Sequence, residues 1–226
     1  MGYNRYKNYE LRIKIHMIIT YHDGGFIKIT SGDTTVAFNP VSKESKLKET
    51  KFGADLAFVS LNHEDCNGVE SVTRSGKDLF VIDGAGEYEA NGVFAKGVGA
   101  ESKYGLQDGE EKRINTIFSL HLEDVHIVNL GAISTKKLTG KMLDGIDNID
   151  VLFVPISGDG MIDAALANKM ANSLEAKIVI PTFYDKDTLS TFLKEASAED
   201  VKGVEKLVLK KKDLADKTGE VVVLEA

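Results

Sequence analysis

The run Leu56-Ala57-Phe58-Val59 constrains the fold more than any other stretch of the chain. It has the length and composition of a strand buried on both faces, which requires a layered structure around it. The run stops at Ser60 and gives way to a polar turn, Asn62-His63-Glu64-Asp65-Cys66-Asn67-Gly68. In open α/β folds, chemistry sits just past the carboxyl ends of strands. His63, Asp65 and Cys66 place three side chains able to ligate a metal within four residues at such an end. They are the leading candidates for a metal site, with Asp65 and Cys66 also the candidates for catalysis.

The rest of the chain can be read as β-hairpins followed by β/α units. Met17–Tyr21, Phe26–Thr30 and Thr34–Phe38 read as a β-meander, with a hairpin turn at Ser31-Gly32-Asp33. Residues 43–51 read as an exposed charged loop. A short helix is expected from Asn67, a strand over Leu79–Ile82, a strand over Val93–Val98 and a long polar loop over Gly99–Arg113. Two more strands, Ile114–Leu122 and Val125–Leu130, flank a tight Glu123-Asp124 turn, and Lys136–Leu143 suits a short helix. Val151–Ile156 is nearly continuous in apolar residues, the mark of a sheet covered on both faces. Ile162, Leu166, Met170 and Leu174 fall on one helical face. Lys177–Ile180 is a buried strand, Lys186–Ala196 an amphipathic helix, and Val204–Leu209 and Glu220–Leu224 are final strands. The expectation is an α+β sandwich of αββα type: two mixed β-sheets packed together, with helices on the outer faces, formed by residues 17–226 as a single domain.

Residues 1–16 read as an N-terminal extension, because Met17 opens the first clear strand and no secretory h-region precedes it. With 226 residues, 42% of them hydrophobic, the core can stand without a disulfide, which the single cysteine excludes within the chain. No apolar run approaches the roughly 20 residues of a membrane span, so no membrane partner is expected and cytoplasmic residence is the default. A net charge of −7 argues against nucleic acid as a partner, which calls for a basic surface. A local basic groove is still compatible with that balance; Lys210–Lys212 is one possibility, read instead as a solvated edge.

The strand and turn over 54–68 resemble the first metal-binding loop of the metallo-β-lactamase superfamily, in which a strand ends in His-x-His-x-Asp-His. The likeness is closest to small bacterial members in the neighbourhood of the ascorbate-phosphate lactonase-like proteins. Asn39-Pro40 after the opening hairpin, Gly86-Glu87-Tyr88-Glu89, Arg113-Ile114-Asn115-Thr116-Ile117, Asn129-Leu130-Gly131-Ala132, Pro155-Ile156-Ser157-Gly158 and Pro181-Thr182-Phe183-Tyr184 follow the family's later landmarks in order. By this resemblance, the first-loop ligand positions are Leu61, His63, Asp65 and Cys66. The later ones are a position near Ser102, then Ala132 in place of a bridging aspartate, and Phe183 in place of a histidine. Asn39 replaces an aspartate that supports the first loop.

The resemblance therefore implies the fold together with a degenerate metal centre. Leucine, alanine and phenylalanine side chains have no lone pair, whereas a catalytic zinc takes three protein ligands and a water made nucleophilic by the cation. The expectation is a hydrolase-like protein that has lost most of its metal ligands and binds no cofactor. It would act as a non-catalytic binding or interaction module for a protein or a small anionic ligand, with a homodimer compatible through exposed sheet edges. The alternative is a remodelled metal-dependent hydrolase of phosphodiesters, lactones or related esters, with zinc or manganese on His63, Asp65 and Cys66. The favoured reading against a metal role is that these three residues cap the following helix and fill the pocket. Glu87 with Glu89 is a further candidate acid/base pair, set against a solvated role. His22 is set between facing the site and lying solvated in its turn, and His126 is expected to face solvent or a helix.

Overall fold

The computed structural model describes residues 16–226, so the expected extension falls outside the described residues but for His16. The chain opens with β1 (Met17–Asp23), β2 (Phe26–Ser31) and β3 (Thr34–Phe38), the expected antiparallel meander. The short strands β4 (Leu56–Phe58) and β5 (Phe80–Ile82) then add in parallel beside β3. A second sheet follows, with β6 (Gly86–Ala90), β7 (Val93–Ser102), β8 (Arg113–Leu122) and β9 (Val125–Asn129) antiparallel in succession. Next come β10 (Val151–Pro155), α1 (Ala164–Ser173), β11 (Ile178–Thr182) and α2 (Lys186–Glu195), with β10 and β11 parallel to β9. The strand β12 (Leu207–Leu209) returns to pair with β1, and β13 (Glu220–Val221) pairs with β11. The sheet orders are β12-β1-β2-β3-β4-β5 and β13-β11-β10-β9-β8-β7-β6.

Alternation along the strands sorts side chains between layers. Val151 and Phe153 of β10 point into the space between the sheets, while Leu152 and Val154 point outward toward α1. The space between the sheets is filled around four phenylalanines: Phe58 lies 5.0 Å from Phe38 and 5.1 Å from Phe118, and Phe38 lies 6.1 Å from Phe153. Such offset and edge-to-face pairs bury much area and fix ring orientation.

Helix α1 starts where the Asp163 carboxylate accepts from the Leu166 amide at 2.8 Å. Its buried face is Ala164, Ala167, Met170 and Ala171, small enough to let the helix sit close on β10. Both α-helices pack on the outer face of the second sheet, with Phe192 of α2 fully buried there. The outer face of the first sheet is instead covered by loop residues Val41, Leu47, Phe52 and Ala54 and by the 3-10 turn Val69–Ser71.

The clearest departures from expectation lie in three elements. Only Gly140–Leu143 of the expected 136–143 helix winds, as a 3-10 turn, because Gly140 takes a left-handed φ of +52°. Strand β6 is not among the strands expected from the sequence, and β7 runs on to Ser102, so the polar loop shortens to 103–112. Gly97 and Gly99 weaken the strand signal in β7. Yet Gly97 is where the backbone must approach: a Cβ there would meet the Gly84 carbonyl oxygen at 2.6 Å.

The basic cluster 210–212 is more than a solvated edge. Lys211 and Lys177 donate to the buried Asp150 carboxylate at 2.5 and 2.7 Å, and the His126 amide adds a third bond at 2.9 Å. Burial pushes this carboxyl up, but the bonds from Lys177, Lys211 and His126 outweigh it and hold it below the usual carboxylate range. No helix among the described residues is long and apolar enough to cross a membrane.

Candidate functional site

The site candidate lies where β4 ends and the chain turns. Asn39, just past β3, adopts a left-handed φ of +46° and accepts from the Ser60 amide at 2.8 Å through Oδ1. It thus braces the start of the turn, as the resemblance implies for this position. The turn closes on itself through Cys66 and Asn67 amides donating to the His63 carbonyl at 2.8 and 3.0 Å. Gly68 then passes against the backbone of Val41 and Ser42, where any Cβ would come within 2.4 Å.

Loops from the second sheet meet this turn. The Thr116 amide donates to the Ser60 carbonyl at 2.7 Å. Past β9, Gly131 and Ala132 amides are held by the side-chain oxygens of Asn129 and Asn115, each at 2.8 Å. Past β11, Phe183 has a φ of +50°, and its amide donates to the Gly24 carbonyl at 2.7 Å. Its ring lies over Gly25, where a Cβ would be 2.5 Å from two ring carbons.

These loops bring together four of the positions that the resemblance assigns to metal ligands. Leu61, Cys66, Ala132 and Phe183 form one buried apolar cluster with Met161, and Tyr104 packs at its edge. Tyr104 also links the cluster to the polar residues. Its ring is 5.6 Å from Phe183 and 5.0 Å from His63, and its hydroxyl donates to Asp65 Oδ2 at 2.5 Å. The other oxygen of Asp65 accepts from the Ser45 hydroxyl. His63 Nδ1 accepts from the Asp65 amide at 3.2 Å and lies 3.4 Å from Asp65 Oδ2. Its Nε2 rests on Gly105, where a Cβ would be 2.3 Å away.

The donor set does not fit a metal ion in this arrangement. Among the described residues, no three His, Cys, Asp or Glu side chains are placed to hold one ion. Cys66 is fully buried, and burial, reinforced by the charge of Asp65, pushes its thiol well up, so it stays protonated. Burial and the bond to Asp65 also push Tyr104 up, keeping its hydroxyl a donor. The Nδ2 groups of Asn39 and Asn129 are buried without protein partners. An amide NH2 donates hydrogen bonds and offers a cation no lone pair.

The remaining sequence candidates lie elsewhere. Ser102 is buried at the end of β7, where its hydroxyl accepts from the Tyr104 amide at 3.2 Å, and it stands outside the apolar cluster. Glu87 and Glu89 do share a face of β6, but both are exposed, on the side away from the inter-sheet core that Tyr88 and Ala90 pack against. His22 is neither solvated nor at the site: it is wedged between Phe26 and Phe52, at 5.1 and 5.7 Å. Burial, then Lys28 and Lys48, lowers its pKa to about 4. His126 is buried rather than facing solvent, bonded to the Ser119 hydroxyl and the Asp147 carbonyl, each at 2.8 Å. Sequence reasoning misses Tyr104, Met161 and Ser45. The only signal for Tyr104 is an aromatic residue beside a glycine in an otherwise polar loop, and nothing marks the other two.

Comparisons with known proteins agree with this architecture. Residues 18–183 match the family described as Beta-lactamase superfamily domain. A protein named as a metal-dependent hydrolase from Listeria monocytogenes is 28% identical over 200 residues, covering 75% of this chain and 86% of its own. The crystal structure of a protein from Thermotoga maritima, proposed to be a Zn-dependent hydrolase of the metallo-β-lactamase superfamily, superposes with a TM-score of 0.70. It is 28% identical and covers 92% of this chain and 98% of its own. The structure of a protein from Parabacteroides distasonis, 17% identical, shares the fold with a TM-score of 0.61 over 93% of this chain and 94% of its own. With most of its length inside the family match and two mixed sheets arranged as in these structures, the chain belongs to the beta-lactamase superfamily and has the metallo-β-lactamase fold.

Proposed function

We propose that this chain is a non-catalytic member of its family, a binding or interaction module in which side chains occupy the place of the metal centre. The observation that supports this reading is the packing of Leu61, Cys66, Ala132 and Phe183 against one another and Met161. Three of these four side chains have no lone pair, and the thiol of the fourth is held protonated by burial. His63 and Asp65 remain but spend their bonding on each other, on Ser45 and on Tyr104. On this reading the turn is a structural clamp that needs no cofactor, and the partner is a protein or a small anionic ligand.

The relatives' names favour a second reading, since they describe metal-dependent hydrolases. A remodelled site would use His63, Asp65 and Cys66 with zinc or manganese on a phosphodiester, lactone or related ester. It requires Tyr104 to release Asp65 and Cys66 to ionise.

The two readings separate by metal content together with hydrolysis. Untagged protein, purified without chelator and offered zinc and manganese, is analysed by plasma mass spectrometry and then assayed on bis(p-nitrophenyl) phosphate and a γ-lactone. The non-catalytic reading expects far less than one ion per chain and no turnover above that of a His63→Ala variant. About one ion per chain, with turnover lost in that variant, contradicts it.

A further inference from the structure

The outer face of the second sheet carries a groove that takes no part in the site at the strand ends. It lies between α1 and the segment 136–143 and has a volume of about 370 Å³. Leu138, Leu143, Leu166, Met170 and Leu174 make its apolar floor. Lys136, Lys137 and Lys169 stand around it with Ser173, and no carboxylate lines it. All three lysines are exposed, and none forms an ion pair among the described residues. On a chain of net charge −7, three unpaired ammonium groups around an apolar floor are a local reversal of sign.

The groove also has a direction. It adjoins a second cavity of about 440 Å³, with which it shares Leu143, Ser173 and Leu174. That second cavity is lined by Asp147 and Glu175 and by one cation, Lys177, whose ammonium is already bound to the Asp150 carboxylate at 2.7 Å. Cations without a paired carboxylate among the described residues therefore mark one end, leucines the middle, and Asp147 and Glu175 beside the already paired Lys177 the far end.

We propose that this groove binds a single-chain anionic amphiphile of fatty-acid type. Its carboxylate sits among Lys136, Lys137 and Lys169, and its hydrocarbon chain lies over Leu166, Met170 and Leu143 toward Leu174. The charge order sets this orientation, because a head group at the other end would face Asp147 and Glu175, and the lysine there, Lys177, is already neutralised by Asp150. The size selects a small molecule over a protein. Small-molecule sites run to about 300–1,000 Å³ with a mostly apolar lining and a few placed polar groups. A stable protein partner needs about 20–30 residues a side, and nine line this groove.

The test is decanoate titrated below its micelle concentration into full-length protein labelled with 13C at the methionine methyls. Met170 lies on the groove floor and Met17 in the inter-sheet core, so one reports binding and the other serves as a control. A saturable shift at Met170 with Met17 unmoved is expected, with decanol and acetate each weaker by at least about tenfold. A variant carrying Lys136→Gln, Lys137→Gln and Lys169→Gln alters only exposed positions. With an unchanged melt, it should bind decanoate no better than decanol. The proposal is overturned by the absence of a saturable shift, by decanol binding as tightly as decanoate, or by an unaltered decanoate affinity in the triple variant. A shift appearing only with phosphatidylglycerol vesicles also overturns it and makes a membrane surface the occupant.

Discussion

Phe183 holds a left-handed backbone, a conformation that costs a non-glycine residue about 1–2 kcal/mol. The amide bond to Gly24 and the ring packing over Gly25 hold it there. Gly25→Ala would thrust a methyl group into that ring and toward Asn39 Nδ2, at 2.9 Å. Overpacking of this kind costs about 1–3 kcal/mol. In a Phe183→Ala background the same change should cost clearly less, as a double-mutant cycle in urea would measure. Equal costs in both backgrounds would mean that the ring does not press on Gly25. Cys66, the single cysteine of the chain, gives a second check. Buried and protonated, it should react with a thiol reagent such as DTNB at pH 7 only after unfolding in urea; rapid reaction in the native protein contradicts the packing. His22 sets a pH dependence. Its folded pKa, about 4, lies below its ordinary 6.5, so the unfolded chain binds the proton more readily. Stability from His22 is therefore complete above about pH 6.5 and is lost as pH falls through 6.5 toward 4. His22→Phe should flatten that part of the stability–pH curve. At this scale, Leu61, Ala132 and Phe183 are legible because they sit inside motifs whose neighbours survive. Tyr104, Met161 and Ser45 are not, because each comes from a loop brought to the site only by tertiary packing.

The elements follow the sequence most closely where one strong local rule acts. The β2–β3 hairpin lies where alternation and the Ser31-Gly32-Asp33 turn place it, and β10 alternates between two apolar layers as a doubly covered strand should. Helix α1 begins at the Asp163 cap, and Asp163→Ala should destabilise the protein by about 1 kcal/mol. Thermal melts of the two proteins measure this directly, and an unchanged melt would mean that packing of the alanine face alone fixes the helix start. Local rules fail where tertiary contacts decide. Strand β6 is recruited by pairing with β7 across two weak glycine positions, and the 136–143 segment is stopped from winding at Gly140. Leu143, three residues past that stop, is 42% exposed and lines the groove beside α1.

For the whole molecule, the inter-sheet core and the site draw on different residues. The phenylalanine core of Phe38, Phe58, Phe118 and Phe153 shares no side chain with the cluster of Leu61, Cys66, Ala132, Met161 and Phe183. On the proposed reading, that separation lets the two sheets pack in the same way whether or not the loop cluster holds an ion. The central claim is that these positions are filled by packing rather than kept for an ion. The most direct measurement is the melting temperature of chelator-treated, full-length protein titrated with Zn²⁺ or Mn²⁺. An intact site occupied at a hundred times its Kd would stabilise the fold by about 2.7 kcal/mol, a shift of roughly 5–10 °C for a chain of this size. The account predicts no saturable upward shift with either ion. A saturable rise that disappears in His63→Ala would contradict it.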